Sequence, residues 1–157
     1  MIVARPPVAA SSGGGSSFPL ALASTQAEAY STSSMACPIP SGTQSGERLV
    51  LFVTNYGQGF APPSPWTLIQ AADGDGIAGM TVWTKVSAGS EAASVNLGGF
   101  YADDPRLALM LRLAPCSVNA SAKQLGTVPP FTAPSLAVPG SNAFVVRAWG
   151  YQSYAVS

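Results

Sequence analysis

Apolar residues in this chain come in short segments, each closed within a few positions by Gly, Pro, Asn, Asp or Ser. From Phe18 onward the segments recur at about the 8–12-residue spacing of a β-sandwich or barrel. The pattern predicts strands over Leu20–Ser24, Ala27–Pro38, Arg48–Asn55, Thr67–Ala72, Ala78–Ser87, Ala93–Leu97, Arg106–Ala114, Ser135–Val138 and Ala143–Trp149, with a short one near Tyr151–Val156. Strands of that number imply two packed sheets. In "GMTVWTKVSA", Met80 and Val82, continued by Thr84 and Val86, alternate with Thr81, Trp83 and Lys85, so one face is expected to be buried. The runs "RLVLFV" and "RLALMLRLA" are almost continuously apolar, which suits central strands covered on both sides. A helix is the rival for "PRLALMLRLAPC", since Leu, Ala and Met favour helices. Pro105 and Pro115 bracket only nine residues, however, a marginal length for a helix, and the segment is assigned as a strand.

The 16 Gly and 14 Pro leave little room for any long helix, so the expected class is all-β: a single jelly-roll-like antiparallel β-sandwich. A chain of 157 residues suits one domain with its own core. Residues 1–17, rich in Ser, Gly and Pro, read as a flexible arm, and residues 18–157 as the sandwich domain. No apolar run approaches the ~20 residues of a membrane-spanning helix. "MIVARPPVAASSGGGSS" lacks the apolar core of a signal peptide, so export by a standard signal is not expected.

Charged residues make up 9% of the chain, against roughly a quarter in an average globular protein. Seven basic residues balance seven acidic ones, which leaves no electrostatic footprint for nucleic acid or an anionic membrane. A surface built from Ser, Thr, Gly, Asn and Gln has weak colloidal repulsion, and net charge near zero favours association. The composition is that of a chain to be covered by neighbours.

Catalytic chemistry finds few footholds. With no histidine, triads using His as base are excluded, and no metal-binding set of His and Cys can be assembled from two cysteines. The acidic residues Glu28, Glu47, Asp73, Asp75, Glu91, Asp103 and Asp104 fall mostly in turns, where short acidic side chains bond their own backbone. "DGDG" at Asp73–Gly76 resembles the start of a calcium loop but lacks the later ligands and closing Glu. "YADDPR" at Tyr101–Arg106 reads as a solvated turn, and "NAS" at Asn119 as a chance match to a glycosylation acceptor. Cys37 and Cys116 are expected as buried free thiols, although spacing leaves a pairing open. No catalytic, cofactor-binding or metal-binding residue is assigned, and no cofactor. Trp66, where a Pro-rich loop re-enters a strand, is expected to plug the end of the sandwich against Leu51 or Val53.

The pieces "IPSGTQSGERLVLFV" (Ile39–Val53), "PPSPWTLIQ" (Pro62–Gln70) and "MTVWTKVSAGSEAASVNL" (Met80–Leu97) come in an order that resembles a β-sandwich module common in bacteriophage structural proteins. In that module a Gly-Asp turn leads into a buried strand, a loop ends in Pro-x-Gly-Trp-Thr, and an aromatic-Lys-Val-Ala strand precedes a Glu-Pro-Ala-Ser turn. "PRLALMLRLAP" and "APSLAVPGSNAFVVRAWGY" are similar to its next strands, so most of residues 36–150 is covered. Two positions depart from it. Glu47 replaces the usual Asp and keeps an acceptor that can close the turn, whereas Pro65 replaces the Gly before the tryptophan and changes the loop backbone.

The resemblance implies a non-enzymatic virion protein assembled in the host cytoplasm, most concretely a capsid decoration (cement) subunit on the outer surface of a phage head. The implied partners are the major capsid protein or other virion proteins, with no nucleic acid and no membrane. The alternative is a tail or fibre component whose sandwich binds a glycan. Candidate partner contacts are Trp83, Phe100, Tyr101, Trp149, Tyr151 and Tyr154. A homo-oligomer is expected, a trimer by the three-fold positions of icosahedral shells, with the C-terminal strand or the N-terminal arm crossing to a neighbour.

An arm without a core can act only by ordering on a partner. Removing residues 1–17 should therefore leave the thermal melting curve unchanged while weakening attachment to neighbours. A truncated chain that melts well below the intact one would make the arm part of the fold.

Overall fold

The computed structural model describes residues 21–29, 33–56, 62, 64–71, 78–99, 106–118 and 146, apart from the side chains of 55, 56 and 78. Within them the chain forms β1 (Ala21–Ala29), β2 (Ser34–Pro38), β3 (Arg48–Tyr56), β4 (Thr67–Gln70), β5 (Ala78–Val86), β6 (Ser94–Gly98) and β7 (Arg106–Leu113). No helix occurs among the described residues, and "RLALMLRL" is a strand, as the bracketing prolines predict. The predicted strands at Ser135–Val138, Ala143–Trp149 and Tyr151–Val156 lie outside the described residues, save Val146.

The strands form a five-stranded sheet in the order β1-β7-β3-β5-β4 and a two-stranded sheet of β2 and β6. β3 pairs with β5, β2 with β6 and β1 with β7, all antiparallel, so the chain is folded double about β4 and the doubled ribbon is wound over both sheets. Such nested pairing makes a jelly-roll-like antiparallel β-sandwich. β7 is also bonded to β3, which places both long apolar strands in the interior of the larger sheet.

Side-chain parity then decides what each face contains. On the inner face, Leu49, Leu51 and Val53 of β3 sit beside Ala108 and Met110 of β7, and the two-stranded sheet covers them with Met35, Cys37, Val95 and Leu97. On the outer face, Val50, Phe52 and Leu113 form a second buried cluster, joined by Ile69, Met80, Val82, Leu109 and Leu111. A strand apolar on both faces is stable only where both are covered.

Two expectations are corrected. The break predicted between Ser24 and Ala27 does not exist: β1 runs unbroken, and β2 begins at Ser34. Thr25 and Gln26 are polar because β1, the outer strand of the sheet among the described residues, has strictly alternating exposure, not because the chain turns there. On β5, one buried face was expected, yet both are covered: Thr81, Trp83 and Lys85 share the inner face with Val53, Leu51 and Leu49, while Met80 and Val82 join the outer cluster.

Leu51 is fully buried at the centre of the inner face, whereas Val86, at the end of β5, is 52% exposed. Leu51→Ala should lower the unfolding free energy by about 2–5 kcal/mol through lost transfer energy and the cavity left behind. In the same denaturant titration, Val86→Ala should change it by less than about 0.5 kcal/mol.

Candidate interaction surface

At one end of the sandwich the inner face changes from apolar to charged. Leu49 is flanked in register by Lys85 on β5 and Arg112 on β7, so two cations stand at the mouth of the core. Each is met by a carboxylate from an adjoining turn. Arg112 donates from Nε to Glu47 Oε2 at 2.7 Å and from Nη2 to Glu47 Oε1 at 2.8 Å, a two-pronged pair, and from Nη1 to the Ser41 carbonyl at 3.0 Å. Lys85 donates to Glu91 Oε2 and also lies 5.4 Å from the centroid of the Trp66 ring.

Both carboxylates also close their own turns. Gln44 N–H donates to Glu47 Oε2 at 2.6 Å, and Ala88 N–H donates to Glu91 Oε1 at 3.0 Å. Glu47 N–H reaches the Gln44 carbonyl at 3.3 Å with Gly46 at φ 86°, the form of a type II turn. Gly46 N–H then bonds the Ser87 carbonyl and Ser87 N–H the Glu47 carbonyl, so two residues oppose one and a glycine bulge feeds β3. The turns nearly touch. A Cβ on Gly89, itself at φ 84°, would stand 2.8 Å from the Ser45 nitrogen. Sequence reasoning anticipated Glu47 as a turn closer but missed its partner. Arg112, a charge inside the apolar run "RLALMLRLA", was the available signal.

These contacts set the titration of the mouth. Hydrogen bonds from Arg112, then from the Gln44 backbone, hold the Glu47 carboxyl below its ordinary value, and Glu47 in turn raises Arg112. For Glu91, burial pushes upward, but the bonds from Lys85, Ala88 and Ser87 together outweigh it and the carboxyl also lies low.

The two cysteines are free and sit on opposite faces of the large sheet, Cys37 in the inner core and Cys116 against the outer cluster. Burial pushes the Cys37 thiol up to about 11, which leaves it protonated and inert at neutral pH. Burial also raises Cys116, opposed by the Arg48 guanidinium, whose Nε donates to the Cys116 carbonyl at 2.9 Å.

Trp83 is the one candidate partner contact within the described residues, and it packs half-buried against the inner core beside Leu51. Phe100, Tyr101, Trp149, Tyr151 and Tyr154 lie outside them, as do "DGDG", Tyr101–Pro105 of "YADDPR", and Asn119. Trp66 is half-buried against the cluster that contains Leu51 and Val53, as expected of a plug, and it follows a cis Ser64–Pro65 peptide. Among the described residues no group of three or more His, Cys, Asp or Glu could hold a metal ion. No protein-family model matches the chain, and neither a curated protein nor a solved structure matches it.

The sign of the pH dependence follows from Glu47. Its folded carboxyl titrates below the ordinary 4.5, so the pair with Arg112 contributes fully above that pH and its contribution is lost as pH falls through the lower folded value. Glu47→Gln should therefore be less stable than wild type at neutral pH, with the gap closing on acidification below pH 4.5. Denaturant midpoints measured across that range check this, and a gap independent of pH would contradict it.

Proposed function

We propose that this chain is a non-enzymatic structural protein of a bacteriophage virion, a decoration subunit that lies on the outer surface of the head against the major capsid protein. The observation that carries this reading is where the charges go. Among the described residues Glu28 is the exposed charged side chain; Glu47, Arg48, Lys85, Glu91 and Arg112 are buried or half-buried and bonded to other parts of the fold, and Arg106 is buried. Apart from Glu28, the exposed side chains among the described residues are uncharged, and interface centres are depleted of charge because covering a charge costs desolvation. The absence of histidine from the sequence supports a non-catalytic role.

The engagement of both described tryptophans speaks against a glycan platform built on them. Trp66 carries Lys85 over its ring and Trp83 packs on the inner core, so neither is a bare, solvent-facing ring. Immunogold electron microscopy of intact particles, with antibody raised against the purified chain, tests the reading. Regular labelling of the head surface is the expected result. Label confined to the tail would move the protein to the tail or fibre alternative, and unlabelled particles would remove the virion role.

A further inference from the structure

We propose that β1 is a homotypic docking edge: Ala21–Ala29 pairs antiparallel with the same strand of a second copy, across a two-fold axis at Thr25, and joins two five-stranded sheets into one. Among the described residues β1 has a hydrogen-bonded neighbour, β7, on one side only. Its length of nine residues, without Pro, Lys or Gly, leaves a long row of backbone donors and acceptors, the template that sheet edges offer to another strand. The other outer strand of the sheet is blunted. β4 has only four residues and, like the start of β1, a register shift, here between Leu68 and Gln70. β2 and β6 have five residues each, and β2 ends in Pro38.

The sequence of β1 selects a second copy as the occupant. With Thr25 opposite Thr25, parity is kept across Ala23–Ala27, so inner-face residues meet inner-face residues there. Ala23 then faces Ala27 on the inner side, where nothing large projects into the join, while Ala21, beyond a register shift, packs with the outer cluster. On the outer side Ser24 faces Gln26, two side chains able to hydrogen-bond, and Leu22, 42% exposed, faces the methylenes of Glu28. Glu28, the one charge of the strand, thus meets no like charge, whereas a parallel in-register pairing would stack it on its own copy. A net charge of zero adds no long-range repulsion between copies. The contact is two-fold and links copies in pairs. It deepens the structural-protein reading by naming one partner, and it is tested separately from the location on particles.

Ser24 and Gln26 are both exposed, so they can be changed without touching the core. In the full chain, Ser24→Lys with Gln26→Lys sets lysine opposite lysine twice across the axis, while Ser24→Lys with Gln26→Glu sets lysine opposite glutamate. Light scattering over a concentration series, with circular dichroism to confirm the strand content, should show wild type and the Lys/Glu variant at the same associated mass and the Lys/Lys variant at half of it. A wild-type chain that stays a single copy throughout overturns the proposal. So does a Lys/Lys variant with the wild-type mass, or a Lys/Glu variant that dissociates like Lys/Lys. Pairing that responds in this way in a protein that fails to label particles would leave the docking edge standing and remove the virion role alone.

Discussion

β3 presents apolar side chains on both of its faces, and the rest of the fold is arranged around that requirement. Leu49, Leu51 and Val53 point one way and Val50 and Phe52 the other, so β3 can be neither an edge nor a surface strand. It is flanked by β5 and β7, whose inner and outer rows continue its own, and the small β2–β6 sheet roofs the inner side. The hydrophobic effect supplies the drive, while the two-residue period of the strand fixes which residue goes where. A one-residue slip of β3 against β7 would carry Arg112 to the outer row and Leu113 to the mouth, exchanging a paired charge for an unpaired one.

Much of this was legible in the sequence because period and punctuation are local. The class, the strands at 48–56, 78–86, 94–98 and 106–113, and the position of Trp66 follow from alternation, proline brackets and turn residues. Other features depend on partners that no window of sequence contains. The length of β1 could not be separated from a turn, because an edge strand and a loop both carry polar residues such as Thr25 and Gln26. The face of β5 that holds Trp83 could not be ranked against the one that holds Val82 without knowing that Leu51 lies beside the first and Phe52 beside the second. The pairing of Glu47 with Arg112 joins residues 65 apart in the chain and left no local trace beyond a charge in an apolar strand.

The mouth of the sandwich shows how a chain with so few charges uses them. Each carboxylate there serves a backbone N–H of its own turn and a cation of the sheet, so one side chain fixes both the shape of a loop and its position on the core. Charge used in this way is withdrawn from the surface. Among the described residues this leaves Glu28 as the exposed charge, while the fold still contains ordered ion pairs.

The nested pairing also has a history in time. As the chain leaves the ribosome, β3 and β5 are separated only by β4 and its loops and can pair early, but the sheet neighbour of β1 is β7, near the far end of the described sequence. Contacts of such long separation carry the largest loop-closure cost and form slowly. β1, the first of the described strands, therefore cannot take its place in the larger sheet until Arg106–Leu113 has been synthesised and has slotted between it and β3.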